Sequence, residues 1–261
     1  MSTCPTHGTL TLSIDLEHDH VQVDLAEQRA LDAIASELVD LLTRHQLPAT
    51  WAVADPAVSA ARARVNVMRG GHELALLGDA SWVGREAGRS RFARELARRV
   101  ARARSEGLQV STLALRTALP QEHCDLAIKE GIVATRQPVA DSRPSRRLQP
   151  QSLRFGLWGF TVSMALPATS RWLPGGGGTR AARYEIDRAI ADRGLAHLAI
   201  DAPRLAERGA AALRVIERVL AHAARRREHG LLEVATLGTV AGRLARENHG
   251  QPSRSILRPA A

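Results

Sequence analysis

The strongest constraint on this chain is its alternation of short apolar runs with long amphipathic ones, repeated from one end to the other. Thr9 to Asp15 reads as a buried strand. Leu25 to Arg44 reads as a helix, because Leu31, Ile34, Leu38 and Leu41 recur at spacings of three and four. Pro48 breaks the chain before a short strand, Ala49 to Ala54, and Pro56 sits near the first turn of a second helix, where its missing N–H costs little. Gly70-Gly71 closes that helix and Glu73 to Leu77 is the third strand. Arg89 to Glu106 is helical, with Phe92, Leu96 and Val100 on one stripe and arginines over the rest, and Gly107 ends it. Val110 to Leu115 (strand), Gln121 to Glu130 (helix) and Ile132 to Thr135 (strand) continue the pattern.

The alternation then lapses. Gln137 to Pro150 is rich in Pro, Ser and Arg and reads as a long exposed loop. Phe155 to Leu166 is apolar and compatible with a strand or a short helix packed on the sheet. Gly175 to Gly178 is a glycine linker with no Lys-Ser/Thr after it, so it carries no nucleotide signal. Order returns with a strand at His197 to Ile200, a helix at Ala206 to Glu228, a strand at Leu231 to Ala235 and a last helix at Leu237 to Glu247. The basic tail from Asn248 to Ala261 is expected to be disordered. Strand–helix units in this order predict an α/β chain with a parallel sheet, open or closed, in one domain from residue 9 to 247. Ligands in such folds gather where strands end, so Asp15, Leu77-Gly78-Asp79, Arg116 and Asp201 are expected on one rim.

Composition excludes several classes. The formal charge is +9, which invites a nucleic-acid reading. Against it, Lys129 is the only lysine, the arginines are spread over helix surfaces, and aromatic residues make up 3% of the chain, leaving few platforms on which bases stack. No specific nucleic-acid partner is expected. No apolar run is long enough to span a membrane. The N-terminus lacks a basic cluster followed by an apolar stretch, so a cytoplasmic location is expected. Cys4 and Cys124 lie far apart with no Cys-x-x-Cys spacing and are expected to be free thiols.

The chemistry-bearing residues concentrate after the first strand. Asp15 closes it and is followed by Glu17, His18 and Asp19. A carboxylate there can orient water or act as a general base, and its neighbours can ligate a divalent ion. The same acidic cluster can instead cap the next helix. Arg116, ending the fourth strand, is expected to pair with Asp15 or to be solvated. Asp201 is a further acidic group aimed at the rim. His72, at the start of its strand, reads as a histidine tying down a loop. Trp51 and Trp82 can line a sugar cleft or belong to the core.

Taken together, these segments resemble the polysaccharide deacetylases of the NodB-homology class, from about Thr9 to Arg246. The resemblance implies an irregular (β/α)7-type barrel and a metal-dependent hydrolysis of acetyl groups on carbohydrate. Ser13-Ile14-Asp15-Leu16-Glu17-His18-Asp19 is similar to a divergent form of the first family motif, which makes Asp15 the candidate base and Asp19 a candidate ligand. Pro48 to Val53 is similar to the family's second strand. Gly71-His72-Glu73-Leu74-Ala75 matches the run that leads into a His-x-x-x-His metal pair, but Leu77 and Ser81 stand at those two positions. Val110 to Arg116 resembles the strand that delivers an arginine to the site. His197 to Pro203 resembles a segment whose strand ends in a catalytic histidine, and Asp201 stands there.

Two functions are therefore expected in competition. Loss of both metal-pair histidines implies a non-catalytic protein that binds a carbohydrate, a glycan precursor or a partner protein, with no cofactor. The alternative is a hydrolase of acetylated sugars, or of related amides, whose Asp15, Asp19, Asp79 and Asp201 assemble an oxygen-rich site. Such a site suits Mg²⁺ or Mn²⁺ better than Zn²⁺.

Overall fold

The computed structural model describes residues 7–17, 24–56, 71–138, 149–167 and 177–249. Its strands are β1 (Gly8–Asp15), β2 (Thr50–Val53), β3 (Glu73–Gly78), β4 (Thr112–Leu115), β5 (Ala134–Gln137), β6 (Gln151–Ser152), β7 (Trp158–Thr161), β8 (Met164–Leu166), β9 (Leu195–Asp201) and β10 (Leu232–Ala235). The helices are α1 (Leu25–Arg44), α2 (Arg89–Ser105), α3 (Cys124–Lys129), α4 (Gly177–Ala191), α5 (Ala202–Glu228) and α6 (Leu237–His249). The strands form one sheet in the order β6-β7-β5-β4-β3-β2-β1-β9-β8, and β10 also pairs with β1. Every pairing is parallel except β6 with β7.

The sheet curls into an irregular barrel. β2 pairs with the upper half of β1 (Ser13 to Asp15), while β10 takes the lower half (Gly8 to Thr11). The apolar run Phe155 to Leu166 supplies β7, next to the edge strand β6, and β8, the edge strand at the other side of the curl.

β1 shows why the barrel forms. Its even residues, Leu10, Leu12 and Ile14, join a core with Leu31, Ile34 and Leu38 of α1, Ile186 of α4 and Ile216 and Leu220 of α5. Its odd residues, Thr9, Thr11, Ser13 and Asp15, are buried and polar. Successive side chains of a strand point to opposite faces, so the helical layer takes the hydrocarbon and the lumen takes the hydroxyls. Across the lumen Ala52, Ala75, Leu77 and Ala114 form a separate cluster of mostly small side chains. The small residues leave space inside the barrel that a longer side chain can cross.

Helix boundaries follow local chemistry. Asp24 and Glu27 make a reciprocal capping box at the start of α1, with the Glu27 amide donating to Asp24 Oδ1 at 2.7 Å and the Asp24 amide to Glu27 Oε2 at 3.0 Å. α5 begins at Ala202, four residues before the periodicity suggested, because the Asp201 side chain caps it and Pro203 occupies its first turn. Gly209 interrupts it at φ 65° and ψ −161°.

The base of the barrel is closed by α6. Glu73 accepts from Thr50 Oγ1 (2.9 Å), Ser111 Oγ (3.1 Å), Thr112 Oγ1 (2.5 Å) and the Gly238 amide (2.9 Å). A carboxylate receiving an amide of a helix's first turn also complements its positive end. Both tryptophans named above are core: Trp51 and Trp82 are 2% and 1% exposed. Trp82 stacks on Phe92, Phe92 stacks on His123, and the Arg99 guanidinium lies 5.0 Å from the Trp82 ring centroid. Cys124 is free and buried, and Cys4 lies outside the described residues. No described helix is long and apolar enough to cross a membrane.

Candidate functional site

The strand ends converge as parallel packing requires. Asp15 and Asp201 are direct register partners at the tops of β1 and β9. Asp15 does not face an open cleft alone, however. Arg136 of β5 reaches it with a two-pronged ion pair, Nη1 to Oδ1 at 2.5 Å and Nη2 to Oδ2 at 2.9 Å. Both side chains are almost enclosed, at 4% exposure for Arg136 and 12% for Asp15. Fork-to-fork geometry of this kind is the strongest form of a carboxylate contact and occupies both oxygens.

Arg116, the arginine expected from β4, stands farther away. Its Nε is 4.0 Å from Asp15 Oδ2, and its Nη2 donates to the Glu17 backbone carbonyl at 2.5 Å. It therefore adds positive charge beside Asp15 while fixing the segment that leaves β1. Glu17 Oε1 accepts from the Ala54 amide at 3.4 Å, tying the same segment to the end of β2.

One layer deeper lies a group that sequence reasoning did not single out. Arg136 Nη1 also donates to Ser13 Oγ at 3.2 Å, and Ser13 Oγ lies 2.9 Å from His197 Nε2. His197 is fully buried, and its Nδ1 has no partner among the described residues. Burial, with the nearby Arg136 charge adding to it, pushes its pKa down to about 3, so the imidazole is neutral. The row Asp15–Arg136–Ser13–His197 fills the lumen below the mouth.

Asp201 is spent partly on structure. Its Oδ1 accepts from the Arg204 amide at 3.0 Å and its Oδ2 pairs with Arg204 Nε at 3.2 Å. Burial raises its carboxyl above the ordinary range, and the adjacent Asp15 charge acts in the same direction. Asp79 makes a local turn, accepting from the Ser81 amide at 2.7 Å. Ser81 is exposed, whereas Leu77 is buried in the lumen against Ala52, Ala75 and Ala114. His72 accepts from the Ala49 amide through Nδ1 at 3.0 Å and meets Trp51 edge-on, so it ties down the turn before β2. His18 and Asp19 lie outside the described residues, as does the segment 57–70 expected to form a helix after Pro56.

The donors at the rim do not suit a divalent metal. At the lumen position where an imidazole would serve, Leu77 offers only hydrocarbon. Asp15 already gives both oxygens to a guanidinium, whose positive charge at contact distance opposes a second cation. Among the described residues no three of His, Cys, Asp and Glu gather as a ligand set. The described residues therefore do not fit zinc, which takes three protein ligands in catalytic sites.

Beside the mouth, the loops after β3 and β4 frame an open recess of ≈ 750 Å³. Its lining includes Ala80, Glu86, Thr117, Leu119, Gln121 and Glu122. Its polar lining groups are a hydroxyl, an amide and two carboxylates.

The sequence matches no protein family and no curated protein. Solved structures share its fold. A chain assigned as a polysaccharide deacetylase from Mycobacterium smegmatis gives a TM-score of 0.72 at 17% identity, covering 100% of this chain and 97% of that one. Puue allantoinase gives 0.62 at 13% identity, covering 96% and 93%. A CE4 family pseudoenzyme from Bacillus anthracis gives 0.51 at 9% identity, covering 91% and 66%. At these identities the likeness is one of fold: this chain has the irregular barrel of polysaccharide deacetylases.

Proposed function

We propose that this chain, built on the polysaccharide deacetylase fold, is a non-catalytic member that binds carbohydrate at the barrel mouth. The observation that carries the proposal is the two-pronged Asp15–Arg136 pair. In the deacetylase resemblance Asp15 is the base that activates water, with a metal beside it. Both oxygens of this carboxylate accept from an enclosed guanidinium, which leaves fewer of its lone pairs open to a water. Arg136 also supplies, from within the chain, the positive charge that would otherwise come from a cation. Leu77 in the lumen supports the same reading.

The mouth keeps the features of a binding surface. The recess beside it presents Thr117, Gln121, Glu86 and Glu122 to a ligand. Hydroxyl-rich ligands bind through such polar groups, each contact exchanging a water for a sugar hydroxyl. The pseudoenzyme from Bacillus anthracis is a precedent for this fold without its activity. The alternative, an oxygen-rich site of Asp15, Asp19, Asp79 and Asp201, draws support from the adjacency of Asp15 and Asp201. Against it, Asp79 is committed to the Ser81 turn.

The test pairs an activity with a binding measurement. Acetylated chitopentaose incubated with the protein and added Mn²⁺ or Zn²⁺ should release no acetate. Chitotetraose titrated into ¹⁵N-labelled protein should shift amides of residues 80–86 and 117–122. Metal-stimulated acetate release that Asp15→Asn abolishes would defeat the proposal.

A further inference from the structure

A second recess, of ≈ 540 Å³, lies on the outer wall between α4 and α5, lined by Thr179, Arg180, Arg183, Tyr184, Asp187 and Arg218. On α4, Thr179, Arg183 and Asp187 repeat at intervals of four, with Arg180 and Tyr184 alongside, so one face of the helix supplies five of the six. The last turn of α4 packs on the foot of β1, where a Cβ on Gly8 would fall 2.7 Å from the Ala189 backbone. Thr179 to Tyr184 therefore lie on the rim half of the wall.

The charge in this recess is unbalanced. Its one carboxylate, Asp187, is taken by Arg226 Nε at 2.9 Å and His222 Nε2 at 3.0 Å. Among the described residues no carboxylate pairs with Arg180, Arg183 or Arg218. Among the described residues Arg183 reaches only the Arg218 carbonyl, at 3.4 Å, and its buried Nε has no partner there. Thr179 is 7% exposed, and its buried hydroxyl also has no partner among the described residues. Like charges and unpartnered polar groups in one place are each unfavourable, and an oxyanion relieves both. Tyr184, the chain's only tyrosine, exposes 64% of its surface at the edge of the recess, offering a flat ring to the C–H face of a sugar.

We propose that this recess is a subsite for a sulfate or carboxylate group carried on a saccharide, with Arg180, Arg183 and Arg218 holding the oxyanion and Tyr184 the ring. The choice of a saccharide over other polyanions rests on the carbohydrate reading of the mouth.

Calorimetry on the full chain tests it with four probes: a heparin tetrasaccharide, the unsulfated heparosan tetrasaccharide, neutral chitotetraose and a twelve-nucleotide single-stranded DNA. The heparin tetrasaccharide should bind, and Arg180→Gln combined with Arg218→Gln should weaken it at least tenfold. Tyr184→Ala should weaken it at least threefold, and both variants should keep the parent Tm. Heparosan binding with equal arginine dependence assigns the carboxylate as the anchor, and its failure assigns the sulfate. Unchanged heparin affinity in the double variant overturns the proposal, as does DNA binding of equal strength and equal arginine dependence. If chitotetraose fails to bind while the arginine-dependent heparin signal persists, the subsite stands and the mouth reading falls.

Discussion

Replacing Arg136 by methionine should destabilise the protein far more than any surface arginine. Methionine keeps most of the aliphatic volume, so the change isolates the guanidinium. Asp15 would be left enclosed at 12% exposure with its two hydrogen-bonded contacts gone. Ser13 Oγ would lose a donor as well. Breaking an enclosed ion pair from one side costs about 3–5 kcal/mol, because the remaining charge stays desolvated. At about 2.1 cal/mol/K per residue, 261 residues give an unfolding entropy of about 0.55 kcal/mol/K, so Tm should fall by about 5–9 °C. The double variant Asp15→Asn/Arg136→Met removes both charges, and it should be less destabilised than the two single changes added together, by about 2–3 kcal/mol. Circular-dichroism melts at neutral pH read all four corners of the cycle. A Tm drop below 1 °C for Arg136→Met, or strict additivity in the cycle, would refute the argument that this pair fills the lumen.

Two further outcomes follow from the interior. Because His197 is held neutral to about pH 3 in the folded protein while the unfolded chain binds a proton below its ordinary 6.5, stability should fall as pH drops through that window, by at most about 1.4 kcal/mol per unit; urea titrations from pH 7 to 4 should show His197→Gln with a flatter profile, and identical slopes would count against it. At the barrel base, a Cβ on Gly238 would come within 2.5 Å of Glu73 Oε1, which several hydrogen bonds pin in place; Gly238→Ala should therefore cost about 1–3 kcal/mol by overpacking. Gly242→Ala on the same helix, whose nearest neighbour is the flexible Arg246 end at 3.6 Å, should instead be neutral or stabilising by up to about 1 kcal/mol, and equal melts for the two would contradict this.

Much of the architecture was legible because it rests on periodicity. The stripe Leu31, Ile34, Leu38 and Leu41 fixed α1 to the residue, and Phe92, Leu96 and Val100 fixed α2 to within one. β7 and β8 were not resolved from Phe155–Leu166, since a short apolar run has the same composition as a strand or a buried helix. The rim was legible too: Asp15 and Asp201 stand together because both end parallel strands that pair in register.

Arg136 was missed for a specific reason. Placing the fifth strand at Ile132 to Thr135 left that arginine in a loop, whereas the strand runs from Ala134 to Gln137 and carries it into the lumen. A signal was present. Ala134-Thr135-Arg136 repeats the pattern of Ala114-Leu115-Arg116 one strand earlier, an apolar strand ending in arginine. The alanines at 52, 75 and 114 also advertise space that a long side chain fills. His197 hid for the opposite reason: in the run Leu195–Ile200 it reads as one polar residue among apolar ones, and only the curl of the sheet shows that it faces Ser13.

Metal content decides the central claim most directly. Protein purified without chelators and analysed by plasma mass spectrometry should carry well under 0.1 equivalents of zinc, manganese, iron, cobalt or nickel per chain. About one equivalent of a divalent metal, lost in Asp15→Asn, would contradict a mouth whose cation is Arg136.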